Sequence, residues 1–138
     1  MIQRREIQRD PDQRQTRREG YTVVVEHPAG SDLHYAATVN LDSDSGEVFE
    51  IFYTHVDKIQ SPDGRTHSSP VKEGSALDKV LRDGTILVSL LHQRGGLSFA
   101  EIAAALGEDR EPGARTGPPS TIIGALCRAA SDMEKEHS

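Results

Sequence analysis

The sequence predicts an α+β fold, in which an antiparallel sheet of three or more strands is followed by about three helices packed on one face. Two observations lead to this prediction. Between residues 21 and 54, short β-branched or alternating segments are separated by turn sequences such as Pro-Ala-Gly-Ser-Asp. From residue 75 onward, apolar residues instead recur at the three- and four-residue spacing of helices.

Three strands are predicted, at residues 21–26, 34–40 and 47–54. The turns between them are short, and short turns favour antiparallel neighbours, so the strands are expected to form a meander. Residues 57–70 contain two prolines, one glycine and three serines. This composition predicts a loop insertion between the sheet and the first helix.

Each predicted helix begins beside a residue that can cap its first turn. Ser75 precedes the first helix and Ser98 the second, while Ser120 or Thr121 precedes the third. Spacing predicts that one face of the first helix is buried, namely Leu77, Val80, Leu81, Gly84, Leu87, Val88 and Leu91. Because glycine costs about 1 kcal/mol relative to alanine inside a helix, Gly84 predicts the close approach of another backbone, such as the same helix of a second subunit.

Charge divides the chain into an arm and a body. Residues 1–19 contain six arginines and four carboxylates, a net charge of +2, which leaves −8 for the rest of a chain whose net charge is −6. We predict a flexible Arg-rich arm at 1–19 and a single domain at 20–136. Nucleic-acid binding is not expected of an acidic body.

No apolar run approaches the roughly 18 residues of a membrane span. We therefore expect no membrane partner and a cytoplasmic protein, and we expect a bacterial or phage origin.

Several segments together resemble the TSCPD domain. They are the Gly46-Glu47-Val48-Phe49 hairpin, the Lys72-Glu73-Gly74-Ser75 turn, the apolar helix that ends near residues 92–95, and a last helix from Ser120 to Leu126. The resemblance covers roughly residues 20–132. That domain lies near the C-terminus of adenosylcobalamin-dependent ribonucleotide reductases and also occurs as small stand-alone proteins, so the resemblance implies a reductase as a possible partner. The Thr-Ser-Cys-Pro-Asp element of the family is missing, so the resemblance implies no metal site.

Two helix starts with cations nearby are the candidate phosphate sites, because N-terminal N–H groups and the helix dipole attract anions. The candidates are Lys72 and Ser75 at the first helix, and Arg110, Arg115, Ser120 and Thr121 at the third. Tyr53 or Phe52, at the end of the third strand, could offer an aromatic face to a base. The alternative for each is a capped helix start with solvated side chains.

The residue pattern predicts neither a cofactor, nor a metal, nor a catalytic residue. The six histidines show no helical pair spacing and have no cysteine pair beside them. Cys127 lies on the apolar stripe of the last helix, which predicts a core position rather than a nucleophile.

Three function classes follow from these observations. The first is a non-enzymatic oligomer, self-associated through apolar helices, that binds or sequesters a nucleotide-type phosphate ligand at a subunit interface. Its plan and size are similar to the phage-encoded signal sponges of the Thoeris anti-defence family. The second is an accessory or regulatory partner of ribonucleotide reductase. The third is a helix-turn-helix-like DNA-binding regulator, since residues 97–107 fit the first helix of that motif.

Overall fold

A three-stranded antiparallel sheet forms the first part of the fold, as predicted. The computed structural model describes residues 18–28 and 33–137. Strands β1 (Arg18–Glu26), β2 (His34–Asp42) and β3 (Val48–Phe52) are hydrogen-bonded in the order β1-β2-β3. Strand β1 takes up the last two residues of the predicted arm, and the rest of that arm, residues 1–17, lies outside the described residues.

The segment that we predicted as a loop insertion contains a second sheet. Strands β4 (Lys58–Gln60) and β5 (Thr66–Ser68) form a two-stranded antiparallel hairpin. Its turn is closed by Ser61 N–H, which donates to Arg65 O at 2.9 Å. The hairpin lies against β2, where the imidazole of His67 stacks on that of His34 with ring centroids 3.9 Å apart.

Three helices follow, and their starts confirm the predicted caps. Helix α1 (Ala76–Gly95) begins after Ser75, whose hydroxyl accepts from Asp78 N. Helix α2 (Phe99–Ala105) begins after Ser98, which forms a capping box with Glu101. Helix α3 (Ile122–His137) begins after Thr121, whose hydroxyl accepts from Gly124 N at 3.0 Å, so Thr121 rather than Ser120 is the capping residue.

The main core lies between the sheet and the helices. Side chains from one face of β2 and β3 meet side chains from all three helices, and Cys127 is buried here as predicted. The buried members are Ala37, Val39, Leu41, Val48, Ile51, Val88, Phe99, Ile102, Leu126, Cys127 and Ala130. A smaller cluster of Tyr35, Tyr53, Val71 and Leu81 continues this core toward the start of α1.

Helix α1 also covers the outer edge of β3 with a row of polar side chains. The Ser89 hydroxyl accepts from Ile51 N at 3.0 Å and donates to Ile51 O at 2.6 Å. One turn earlier, Thr85 Oγ1 accepts from Tyr53 N at 2.9 Å. One turn later, Gln93 Nε2 donates to Phe49 O at 3.1 Å. These bonds satisfy backbone groups that a fourth strand would otherwise pair.

The predicted burial of the apolar face of α1 is wrong for most of that face. Only Leu81 and Val88 are buried within the chain, because the polar row takes the position facing β3. The remaining residues are Leu77, Val80, Gly84, Leu87 and Leu91, which we call the α1 stripe, and its four large side chains are exposed. Within the chain, the close approach at Gly84 is made by the Ile123 side chain of α3, which a β-carbon at position 84 would overlap.

Candidate functional site

The N-terminal turn of α1, one of the two predicted phosphate sites, already holds a carboxylate of the chain. Asp78 is 0% exposed, and its Oδ2 accepts from Gly74 N at 2.8 Å and from Arg82 Nη2 at 3.3 Å. The Ser75 hydroxyl is engaged as the helix cap. A phosphate at this turn would meet the negative charge of Asp78 and compete with it for the same N–H groups.

Lys72 lines an adjacent cavity of about 450 Å3 that has mixed charge. Asp57 and Glu73 also line it, so two carboxylates accompany the one lysine. His55, which is mostly buried, faces Asp57 Oδ1 through its Nε2 at 2.9 Å. Such a mixture suits a polar ligand without net negative charge better than it suits a phosphate.

On the loop before α3, the carboxylate of Glu108 neutralises part of the charge of the nearby arginines. Arg110 Nε donates to Glu108 Oε1 at 3.1 Å, and Arg128 of α3 donates to Glu108 Oε2 at 2.8 Å. Arg115 lies exposed on the same loop. The two arginines bound to Glu108 form a carboxylate-bridged pair, so their guanidinium groups share one negative charge before any ligand arrives.

Hydroxyl groups at the start of α3 are engaged in the same way. Ser120 Oγ donates to Asp109 Oδ1 at 2.9 Å, and Thr121 serves as the cap of the helix. The predicted site residues thus form two separate groups. Lys72 and Ser75 lie in the turn before α1, and Arg110, Ser120 and Thr121 lie on the loop that ends at α3. No described contact joins these two groups into a single site.

Tyr53 is a core residue, with 3% of its surface exposed. Burial raises the pKa of its hydroxyl, which interacts with Ser69. Its ring packs in the cluster that contains Tyr35 and Leu81. Phe52, the other aromatic candidate, is only partly buried and lies beside open space.

That open space is a groove of about 410 Å3 between the edge of β3 and helix α1, which we call the β3–α1 groove. Its walls are mostly apolar, with a few charged and polar groups among them, the composition typical of small-molecule sites. The lining residues are Glu50, Ile51, Phe52, Tyr53, Thr54, Arg82, Ile86, Ser89, Leu90 and Gln93.

Sequence reasoning missed this groove because its walls come from segments some 30 residues apart. One signal was present: Thr85, Ser89 and Gln93 follow each other at intervals of four within an otherwise apolar helix. That spacing places them in one row. A polar row on a buried helix face indicates neighbouring backbone groups that need partners, and here these are the edge groups of β3.

Arg82 is the basic residue of the groove. Its side chain is 54% exposed and makes one hydrogen bond, to Asp78, which leaves most of the five guanidinium donors for other partners. Ile86 stands one turn further along α1 and is also exposed. Together with Phe52, they place one cation beside an apolar and aromatic surface.

Two potential nucleophiles outside the groove, Cys127 and Ser61, have structural roles. Burial raises the pKa of the Cys127 thiol to about 11, which keeps it protonated at neutral pH. Ser61 donates to Asp63 and contacts His67 Nε2 at 3.0 Å. The serine thus lies between the carboxylate and the imidazole, whereas a catalytic triad places the imidazole in the middle. Ser61 also bonds to Arg65 O, so the cluster belongs to the β4–β5 turn.

Among residues 18–28 and 33–137, no three potential ligand side chains are grouped so that they could hold a metal ion. Within the same part of the chain, no helix has the length and hydropathy needed to cross a membrane. Helices α2 and α3 are separated by residues 106–121, a longer connection than the three- to four-residue turn of a helix-turn-helix.

Comparison of the chain with protein-family models, with curated proteins and with solved structures gave no match. The resemblance to the TSCPD domain therefore stays a prediction from the sequence.

Proposed function

We propose that the protein is a non-enzymatic, oligomeric ligand-binding protein whose ligand carries an anionic group on an apolar or aromatic body, as nucleotides do. The β3–α1 groove is the observation that carries this proposal. It combines a volume of about 410 Å3 with mostly apolar walls and one exposed guanidinium. Pockets of this size and composition are the common form of small-molecule sites.

Within the groove, the ligand body would lie against Phe52 and Ile86, and the anionic group would face Arg82. A guanidinium suits phosphate and carboxylate because its planar donors can bond two oxygens at once. Asp78 lies behind Arg82 and neutralises part of its charge. The anion therefore meets an ion pair rather than a lone cation, and the apolar contacts must supply much of the affinity.

We place the ligand in the groove rather than at the sites that the sequence predicted. At the α1 start and on the loop before α3, carboxylates of the chain already bond several of the donors a phosphate would need, namely Gly74 N, Arg110 and Ser120. In the groove, the one carboxylate on the same strand wall, Glu50, is bonded to Asn40 Nδ2 at 2.7 Å. Asp78 also bonds one donor of Arg82, but the other guanidinium donors stay open, so an added anion meets less competition in the groove than at the two predicted sites.

A thermal-shift titration tests the proposal with AMP, ADP, cyclic di-AMP, inorganic phosphate and the fluorescent sulfonate 8-anilinonaphthalene-1-sulfonate as probes. A probe present at a hundredfold excess over its Kd should raise the free energy of unfolding by about 2.7 kcal/mol. A nucleotide or the sulfonate dye should outperform inorganic phosphate, because phosphate cannot use the apolar walls.

Three variants locate the binding. Arg82→Gln should weaken binding of the anionic probes about tenfold, and Ile86→Glu should abolish it by placing a carboxylate in the groove. Lys79→Gln is the matched control, since Lys79 is exposed on α1 outside the groove, and it should bind like the wild type. Binding that survives both Arg82→Gln and Ile86→Glu, or no binding of any probe, would contradict the proposal.

A further inference from the structure

The α1 stripe is a row of large apolar side chains that the chain itself leaves exposed. Leu77, Val80, Leu87 and Leu91 have 40%, 58%, 62% and 48% of their surface exposed. With Gly84 they alternate at spacings of three and four residues. This is the spacing at which side chains line up along one side of a helix and pack against a second helix.

We propose that the α1 stripe is a dimer interface, occupied by the α1 stripe of a second copy that runs antiparallel across a two-fold axis beside Gly84. The inference rests on the oligomeric part of the proposed function, and it is independent of what the groove binds. Two-fold pairing requires a surface that is complementary to itself. The stripe meets this requirement in its apolar spacing and in the charges at its ends.

The apolar spacing is nearly the same in both directions from Gly84. Leu77 lies seven residues before it and Leu91 seven after, while Val80 lies four before and Leu87 three after. Antiparallel pairing therefore places Leu77 opposite Leu91 of the second copy, and Val80 beside Leu87 of the second copy. Each exposed side chain then meets an apolar neighbour.

The charges at the two ends select the antiparallel direction over the parallel one. Glu73 and Arg94 are both exposed, and they lie eleven residues before and ten residues after Gly84. Glu73 lies in the turn before α1 and Arg94 lies in the last turn of α1, so antiparallel helices bring the end that carries Glu73 in each copy near the end that carries Arg94 in the other. Parallel helices would instead set Glu73 against Glu73 and Arg94 against Arg94, and like charges oppose association.

Ile123 fills the notch that Gly84 leaves in the stripe. Its side chain occupies the space where a β-carbon of residue 84 would lie, so the apolar surface continues from Val80 to Leu87 without a gap. It also extends that surface onto the start of α3. Four half-exposed side chains cover less than the roughly 800 Å2 that a stable dimer buries per partner, so the proposed interface requires further surface, for which the start of α3 beside Ile123 is adjacent.

Light scattering on a size-exclusion column tests the interface with a pair of adjacent substitutions. Leu87→Glu places a carboxylate in the stripe, whereas Ile86→Glu makes the same change one residue away on the opposite flank of α1. We expect the wild type and Ile86→Glu to have about 30 kDa, twice the 15.1 kDa of one chain, and Leu87→Glu to have 15.1 kDa. Far-UV circular dichroism checks that each variant is folded. If Ile86→Glu does not fold, Lys79→Glu replaces it as the control.

Disulfide trapping tests the direction of the helices. The single native cysteine, Cys127, is fully buried, so engineered thiols on α1 are the reactive ones. Oxidising a mixture of Val80→Cys and Leu87→Cys chains, one of them tagged, should give mainly the mixed disulfide. Each variant alone should give little homodimer. Efficient Leu87→Cys homodimers would overturn the antiparallel arrangement, and a monomeric wild type or a dimeric Leu87→Glu variant would overturn the interface itself.

The same two variants separate this inference from the proposed ligand site. Leu87→Glu should be monomeric and keep its groove, so it should still bind the probes. Ile86→Glu should be dimeric and lose probe binding. A dimer that binds no probe would remove the ligand proposal alone, and a probe-binding monomer would remove the interface alone.

Discussion

The effect of Gly84→Ala on stability should change sign with the side chain at position 123. A β-carbon at residue 84 would overlap Ile123 Cδ1, whereas it would lie 3.5 Å from Ile123 Cγ1, an ordinary contact distance. The substitution gains about 1 kcal/mol from helix propensity. Cδ1 is the end of the Ile123 side chain, but that side chain packs against both core clusters, so displacing it costs about 1–3 kcal/mol, as overpacking of a filled site does. We therefore expect Gly84→Ala alone to destabilise the protein by about 1 kcal/mol.

Ile123→Val deletes the overlapping methyl group and should reverse the outcome. The single change should cost about 0.5–1 kcal/mol, the lower part of the range for Ile→Val because Ile123 is only partly buried. Adding Gly84→Ala to it should then restore about 1 kcal/mol, since the propensity gain remains and the overlap is gone. The double-mutant cycle should give a coupling free energy of about 2 kcal/mol.

Urea unfolding followed by circular dichroism at 222 nm measures all four proteins, and one protein concentration must be used throughout because the chain is proposed to dimerise. Gly95→Ala is the control, because a β-carbon there would come no closer than 4.0 Å to Leu91 Cδ2. Its effect should not depend on residue 123. If Gly84→Ala stabilised both backgrounds equally, Ile123 would not occupy the space beside Gly84, and the explanation of this glycine would fail.

Three further predictions concern side chains that the fold engages. Ser89→Ala should cost about 1–3 kcal/mol in urea unfolding, because it leaves the buried N–H and C=O of Ile51 without their partner; a loss below 0.5 kcal/mol would mean that the β3 edge is not covered by α1. Since burial raises the pKa of the Cys127 thiol to about 11, a thiol reagent at pH 8 should react at least about a hundredfold faster in 6 M urea than with the native protein, and equal rates would contradict its burial. The hydrogen bond from Ser98 N–H lowers the pKa of Glu101, so its stabilisation is present above the unfolded pKa of about 4.3 and is lost as pH falls through the folded value. The difference in Tm between wild type and Glu101→Gln should therefore narrow between pH 7 and pH 3, and a constant difference would refute the capping role.

Features set by neighbouring residues could be predicted from the sequence. The three strands follow from β-branched segments between turn residues, and the helix starts follow from Ser75, Ser98 and Thr121. Each depends on interactions within about four residues, which a sequence displays directly. The helix end at Gly96 belongs to the same class, since its φ of 73° is the left-handed conformation that glycine adopts most readily.

Features set by distant neighbours could not be predicted in the same way. Periodicity predicted one buried apolar face for α1, but it could not show which side of the helix faces the sheet. The outcome depends on β3, whose edge groups need Thr85 and Ser89 and so turn Leu87 into solvent. Asp78 is a second case. The sequence shows only that Asp78 lies three residues after Ser75, whereas the structure buries its carboxylate against Gly74 N, where a phosphate would have to compete with it.

The polar row on α1 explains how one helix can define both a groove and an exposed stripe. Apolar packing alone fixes the distance between a helix and a sheet better than it fixes rotation or sliding, because dispersion contacts have little directionality. The bonds from Thr85 and Ser89 to the β3 backbone are directional, and a shift of α1 by one residue would leave buried donors and acceptors unpaired. They therefore fix which side chains of α1 face the core. Since successive residues are about 100° apart around a helix, that choice places Arg82 and Ile86 on the flank beside β3, and Val80 and Leu87 on the flank beside α3. The geometry of both the α1 stripe and the β3–α1 groove thus depends on the hydroxyl groups of Thr85 and Ser89, which hold α1 against the edge of β3.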